Sequence, residues 1–323
     1  MPSIDTSFQN NHTCLRIKDP KVSVPFYEEH FGMTLIKKVD FPEKKFSLYM
    51  MCIDADESTN WAAKTGVLEL CHNHGSESDD SFKINSGNGE TLRGFGHICF
   101  SVDNLEVYCK KLEAKGVKFQ KKVSDGRQKN IAFALDPNGY WVELIEHGFA
   151  KVEGKSEVSS AVFNHTMVRV KDPKKSLDFY TKVLGFKLFS TRVHEGAKFT
   201  LYFLGYDHDD AYVENTEDHG NQARRISVLE LTHNWGTESD DTFEGYHNGN
   251  SGDYTGYGHI CVSCDDPKKF CAEVEAEFPA VSWGLKYDQG FIKKIAFIND
   301  PDGYSIEVIP TTLLQQAPCC AHE

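Results

Sequence analysis

The sequence predicts an α+β protein of four strand-helix-strands units, two in each of two duplicated halves. Three observations predict it. First, five segments recur in the same order. NHTCLRIKDP at Asn11 returns as NHTMVRVKDP at Asn164, and FYEEHFGMTLI at Phe26 as FYTKVLGFKLF at Phe179. KFSLYMM at Lys45 returns as KFTLYFL at Lys198, GFGHICFSVDN at Gly94 as GYGHICVSCDD at Gly256, and IAFALDPNGYWVELIE at Ile131 as IAFINDPDGYSIEVIP at Ile295. Repetition on this scale is a duplicated domain rather than a short solenoid. Second, alternating apolar runs flank one helical stretch, twice per half. Third, the turn Asp136-Pro137-Asn138-Gly139 and its counterpart at Asp300 separate apolar runs that read as paired strands. The halves are residues 1–150 and 161–323, and the polar stretch KVEGKSEVSS, 151–160, reads as their linker.

In chain order, Leu15 and Ile17 alternate with Cys14 and Arg16 in the first strand. Asp19-Pro20 and Asp172-Pro173 open helices, since Pro is tolerated in a first turn. Pro25 is expected to delay the first helix to about Val22. Gly32 and Gly185 end these helices in the left-handed conformation. Lys37–Asp40 and Phe46–Cys52 form a hairpin, followed by a strand around Glu69. A Gly- and Asn-rich loop leads to the next unit: a strand at Gly96–Val102, a helix from about Leu105 to Lys115, and strands at Lys118–Lys122, Ile131–Leu135 and Tyr140–Ile145. The second half repeats this order, with a longer insert, YDHDDAYVENTEDHGNQARR.

The chain has 323 residues, 40% hydrophobic and 26% charged, as in a globular protein with a sizeable core. A net charge of -13 argues against nucleic acid and anionic membrane as partners. No apolar run has the length of a membrane span, and the first residues carry no secretory signal. A cytoplasmic protein with reduced cysteines is expected. Of ten cysteines, only Cys261 and Cys264 stand as C-x-x-C, in a strand where that spacing puts them on opposite faces. No redox or zinc role is expected there.

Four polar residues per half sit on otherwise apolar strands: His12, Glu69, His97 and Glu143, then His165, Glu230, His259 and Glu307. A strand His is usually a satisfied core residue, and a strand Glu usually faces water. Eight such positions matched across two copies reverse that expectation. An ionised Glu is rarely buried unless paired or bound to a metal. Two His and two Glu suit a borderline divalent ion such as zinc, nickel or cobalt. His194 and His219 have no His counterpart and carry no such expectation, and His72 and His233 lie one step off the liganding face.

LELTHNWGTE, GFGHI and DPNGYWVE, preceded by NHTCLRIKDP, resemble glyoxalase I (lactoylglutathione lyase) of the vicinal-oxygen-chelate superfamily. The resemblance covers about Asn11 to Pro310 as two fused copies, and it looks like the tandem fungal type. It implies four βαβββ modules and isomerisation of the methylglyoxal–glutathione hemithioacetal to S-lactoylglutathione. It also implies Glu143 and Glu307 as catalytic bases. Since relatives share each metal between two subunits, it implies one site from His12, Glu69, His259 and Glu307 and another from His165, Glu230, His97 and Glu143. One divalent metal per site follows, with zinc favoured and nickel or cobalt as alternatives. A monomer is the simple expectation, because the duplication supplies the second half. Matching the family's glutathione contacts gives Arg169, Asn234, Arg93, Lys121 and Arg127 around the Glu143 site. Around the Glu307 site it gives Arg16 and Asn73, then Thr255, Leu285 and Phe291 where cations were expected, with Lys286, Lys293 and Lys294 nearby. The Glu143 site is therefore expected to bind glutathione adducts more tightly. Rival readings within the superfamily are a dioxygenase, an epimerase or a metal-free binding protein.

Overall fold

The computed structural model describes all residues except 1, 57, 127, 150–152, 253 and 314–323. Its first module is β1 (Gln9–Ile17), α1 (Pro20–Phe31), β2 (Thr34–Phe41), β3 (Phe46–Cys52) and β4 (Val67–Asn73). β4 returns parallel to β1, and β3 and β2 continue outward as antiparallel neighbours. The second module repeats the plan with β5 (Phe95–Val102), α2 (Leu105–Ala114), β6 (Phe119–Lys121), β7 (Ala132–Leu135) and β8 (Trp141–Glu146). The third has β9 (Val162–Val170), α3 (Pro173–Asp178), β10 (Lys187–His194), β11 (Phe199–Gly205), a short α4 (His219–Ala223) and β12 (Val228–Asn234). The fourth has β13 (Tyr257–Cys264), α5 (Pro267–Glu277), β14 (Ser282–Leu285), β15 (Ala296–Asn299) and β16 (Ser305–Pro310).

Modules pair across the halves rather than within them. One eight-stranded sheet runs β14-β15-β16-β13-β1-β4-β3-β2, and the other β10-β11-β12-β9-β5-β8-β7-β6. Antiparallel pairing of β1 with β13, and of β5 with β9, joins the modules. Near the pseudo-twofold axis Thr13 and Thr166 share a hydroxyl hydrogen bond of 2.5 Å, and Phe95 stacks on Tyr257.

Strand alternation sorts the side chains. Leu68 and Leu70, Leu229 and Leu231, and Ile306 and Val308 point into one large core with the helix residues Tyr27, Phe31, Tyr108, Tyr180 and Phe270. Glu69, Glu230 and Glu307, each between two of those residues, therefore face the opposite side of their sheet. In β4 the neighbours two residues from Glu69, Val67 and Cys71, belong to a separate apolar cluster on that side.

The helix start differs from the sequence expectation. α1 begins at Pro20, not near Val22, with the Asp19 carboxylate accepting from the Lys21 N–H. Pro25 lies inside the helix on its exposed face, where water can take the backbone carbonyl it leaves unpaired. Gly32 and Gly185 adopt φ of +65° and +72° as expected. The described part of the stretch between the halves is docked: the Val158 side chain packs over Gly32, and the Asp103 N–H donates to Ser160 Oγ. Among the described residues no helix is long and apolar enough to cross a membrane.

Candidate metal centres and the cavity over one of them

Each sheet brings two imidazoles and two carboxylates together on one face. In the first centre His97 on β5, Glu143 on β8, His165 on β9 and Glu230 on β12 place one donor atom each within 4.8 Å of one another. His165 Nε2 lies 3.1 Å from Glu143 and 3.0 Å from Glu230, and 3.2 Å from His97 Nε2. In the second centre His12 Nε2 lies 3.6 Å from Glu69, 3.4 Å from Glu307 and 3.0 Å from His259 Nε2. There the donors divide into two overlapping triads, His12–Glu69–His259 and His12–Cys261–Glu307. The four residues drawn from two modules are in each case those expected to share a site.

These donors fit a divalent cation. All but His259 are buried. Asn164 Nδ2 donates to the carbonyls of Gln222 and Arg225, so its Oδ1 faces His165 Nδ1 at 2.7 Å as an acceptor. His165 Nδ1 must then carry the proton, which leaves the Nε2 lone pair aimed at the centre. Asn11 does the same for His12, donating to the carbonyls of Trp61 and Lys64 and accepting from His12 Nδ1 at 2.6 Å. Two carboxylates and two imidazole nitrogens converging in a dry site call for a positive charge between them. Burial pushes Glu143 up, but the His97 and His165 rings outweigh it and hold the carboxyl well below its usual range. Glu307 is lowered likewise against its burial by His12 and His259. Burial opposes protonation of both first-strand rings, yet Cys99 and then Glu143 and Glu230 raise His165, and Glu307 and Glu69 raise His12. Cys261 approaches the second centre, but burial keeps its thiol protonated and it points at the Val262 carbonyl, while Cys264 lies in the main core. The C-x-x-C is split between faces, as its spacing requires.

A cavity of about 540 Å³ opens over the first centre. Arg93, Arg169 and Asn234 line it, together with the four donors and the apolar walls Phe133, Trp141, Met167, Leu201 and Phe203. Arg169 is buried and its guanidinium donates to the carbonyls of Gly87, Gly94 and Phe95 and to Asn88 Oδ1, which anchors the Gly- and Asn-rich loop. Gly87 is required in that loop: it has φ +79°, and a Cβ would stand 2.1 Å from the Phe95 carbonyl oxygen. Asn234 Nδ2 donates to the Tyr246 hydroxyl. Lys121 is not among the lining residues; its ammonium donates to the carbonyls of Gln128 and Ile131 and closes the intervening loop. Arg127 lies outside the described residues. Around the second centre Arg16 donates weakly to the carbonyls of Gly249, Gly256 and Tyr257, and Asn73 is exposed at the end of β4.

The cavity also contains residues that the duplication argument passes over. Arg192, His194, His219 and Gln222 all line it. Arg192 corresponds to Val39 and His194 to Phe41, so a search for matched polar pairs discards them. His219 and Gln222 come from the longer insert, which folds around Arg225. That guanidinium lies 3.7 Å over the Phe189 ring and pairs with Asp207 and Glu217. His72 and His233, off the liganding face as expected, pair with Glu77 and Glu238.

The family described as Glyoxalase/Bleomycin resistance protein/Dioxygenase superfamily matches residues 9–144 and again residues 162–308. The chain is 51% identical to Glyoxalase I of Saccharomyces cerevisiae over 97% of this chain and 95% of that protein. It is 45% identical to the lactoylglutathione lyase of Schizosaccharomyces pombe over 94% of this chain and 97% of that one. The crystal structure of glyoxalase I from Zea mays superposes with a TM-score of 0.68 at 25% identity, covering 95% of this chain and 93% of that one. With two fused copies of the family's module pair along its length, the chain belongs to the glyoxalase I (lactoylglutathione lyase) family.

Proposed function

We propose that the chain is a metal-dependent lactoylglutathione lyase that isomerises the hemithioacetal of methylglyoxal and glutathione to S-lactoylglutathione. The observation that carries the reading is the pair of buried two-His, two-Glu centres, one of them under a cavity large enough for a tripeptide adduct's reacting end. His97, Glu143, His165 and Glu230 would hold one divalent ion, and His12, Glu69, His259 and Glu307 the other. Nitrogen and oxygen donors in this ratio favour zinc, with nickel or cobalt as substitutes. When bound, the ion supplies Lewis-acid charge for the negative charge that develops on the substrate's adjacent oxygens.

Glu143 and Glu307 act as the bases. Each is held ionised by its imidazole neighbours, and each lies on the last strand of its module facing the centre. The base takes the proton from the carbon bearing sulfur and oxygen and returns it to the neighbouring carbon, so no net proton is exchanged with solvent. Phe133, Trp141 and Phe203 wall the first centre and keep water from the abstracted proton. Arg93, Arg169 and Asn234 hold the glutathione carboxylates and amides.

One chain completes both sites, which supports a monomer. The absence of a membrane-spanning helix among the described residues is compatible with a cytoplasmic enzyme. Residues 1–150 and 161–323 serve as repeated halves of the gene product, though each site uses both. The test is thioester formation from methylglyoxal and glutathione, followed in the ultraviolet, before and after chelation and after readdition of zinc or nickel. Activity that is unaffected by complete metal removal would sink the reading.

A further inference from the structure

We propose that Arg192 makes the two centres differ in the aldehyde they accept: the first favours hemithioacetals whose aldehyde side chain carries a hydroxyl or an anionic group, and the second favours apolar side chains. The inference rests on the lyase reading above.

Arg192 lies on β10 and shares the cavity with Glu143 and Glu230. Its guanidinium sits 4.5 Å over the Phe203 ring. It donates to His219 Nδ1 at 2.8 Å and to Gln222 Oε1 at 3.0 Å. Burial lowers the pKa of His219, so the ring is a neutral acceptor there. Gln222 Nε2 donates in turn to Asn164 Oδ1, the acceptor that orients His165. Among the described residues no carboxylate forms an ion pair with Arg192. A guanidinium has five N–H donors, so donors remain for a ligand, although the charges of Glu230, Glu143, Asp218 and Glu217 act on Arg192 through space.

Arg192 is separated from the groups assigned to glutathione. The register runs from Arg192 to Leu201, Thr232 and Arg169 across four adjacent strands. Three strand spacings put Arg192 and Arg169 about 14 Å apart at the backbone. Each guanidinium is also held at its own side, Arg169 on the carbonyls of Gly87, Gly94 and Phe95 and Arg192 over Phe203 beside His219 and Gln222. With glutathione held from the Arg169 and Arg93 side, Arg192 faces the substituent contributed by the aldehyde.

At the second centre the equivalent positions, all among the described residues, are apolar. Val39 stands for Arg192, Leu48 for Leu201, Met50 for Phe203 and Phe41 for His194. Asn11 bonds the Trp61 carbonyl as Asn164 bonds that of Gln222, so Trp61 takes the glutamine's place. Val39, Leu48, Met50 and Trp61 are buried in one apolar cluster, and Trp61 Nε1 has no partner. That wall offers area to a methyl or phenyl group and, beyond the neutral Trp61 Nε1–H, nothing that would offset an anion's charge.

The test uses the metal-loaded full chain in two single-centre forms, Glu307→Gln with the first centre intact and Glu143→Gln with the second. Calorimetry compares S-benzylglutathione with S-(4-carboxybenzyl)glutathione, and turnover compares phenylglyoxal with 4-carboxyphenylglyoxal. The first centre should favour the carboxylate forms by about tenfold, in the range of one charged hydrogen bond, and the second should prefer the phenyl forms. Adding Arg192→Val to the Glu307→Gln form should erase the first centre's preference. Arg192→Lys should keep part of it, and Val39→Arg in the Glu143→Gln form should weaken the second centre's. Equal preference at both centres, or a first-centre preference unmoved by Arg192→Val, overturns the proposal. If binding shifts as expected but no form converts either hemithioacetal, this assignment stands and the lyase reading fails.

Discussion

At the first centre Arg192, His219 and Gln222 face the donor set across an open cavity. At the second, Val39, Leu48 and Trp61 fill the corresponding wall, and Phe291 packs edge-on against Phe41 and Phe46 with Lys44 over its ring. The donors are the same in both, including the asparagine behind the first histidine. The difference separates two kinds of constraint. Residues positioned to hold an ion, or to fix the tautomer of one that would, are constrained by coordination chemistry. Residues one layer further out are constrained only by substrate shape and charge, and these have diverged.

Removing the proposed bases one at a time breaks the comparison most directly. Glu143→Gln and Glu307→Gln should each reduce turnover at their own centre by about 10³-fold, the usual scale of a lost general base, and the double variant should have no measurable activity. The form retaining Glu143 should have the lower KM for the methylglyoxal adduct, because Arg93, Arg169 and Asn234 line its cavity. A lower KM in the form retaining Glu307 would invert the comparison.

The orienting asparagines come next. Asn164→Ala and Asn11→Ala free Nδ1 of His165 and His12 and should weaken metal retention at the affected centre by about 10- to 100-fold. Competition with a chelator, read as metal per chain, resolves the two losses. If neither variant releases metal sooner than wild type, the tautomer argument is wrong.

Arg225→Met tests the wall itself. It breaks the pairs to Asp207 and Glu217, which are partly buried. A local loss of about 2 kcal/mol is expected, below the full cost for a buried pair. Cleavage within the insert by a protease should accelerate, and the first centre should lose activity while the second keeps it. Equal loss at both would show that the insert supports the whole fold.

The smallest effect concerns the two Asp-Pro turns. Burial pushes the Asp136 carboxyl up to about 6 even though it accepts from backbone N–H groups and Tyr27. Asp300 is pushed further, to about 7, by burial and by the charge of Asp302, which stands where the first half has Asn138. A carboxyl whose pKa is raised on folding costs stability as pH rises from the unfolded value towards the folded one, and the loss is complete above it. Asp302→Asn should bring Asp300 towards the Asp136 value. Unfolding at pH 8 should then become harder by about 1 kcal/mol, with little change near pH 4. A variant equally stabilised at both pH values would point to packing instead of charge.

Much of this was legible in the sequence because the chain is written twice. His12 and His165, or Glu69 and Glu230, stand out as polar residues on greasy strands only when seen as pairs. Gly32 and Gly185 announce their caps by residue type alone. The pairing of modules across the halves is not visible in periodicity, since β1 reads the same whether its neighbour is β5 or β13; the family resemblance supplied it. Arg192 and Gln222 were hidden by the very filter that revealed the candidate ligands, for they occur in one copy only. The start of α1 was misjudged because Pro25 falls on the exposed face, where water can take the carbonyl it leaves unpaired.

The cross-paired sheets carry a last consequence. In an assembly of two identical subunits every codon is expressed in both pockets, so a gain for one substrate is a loss for another everywhere at once. Here β2 serves only the second centre and β10 only the first. Each pocket can be altered alone while its twin preserves the original trade, which makes the fused chain a hedge against its own evolution.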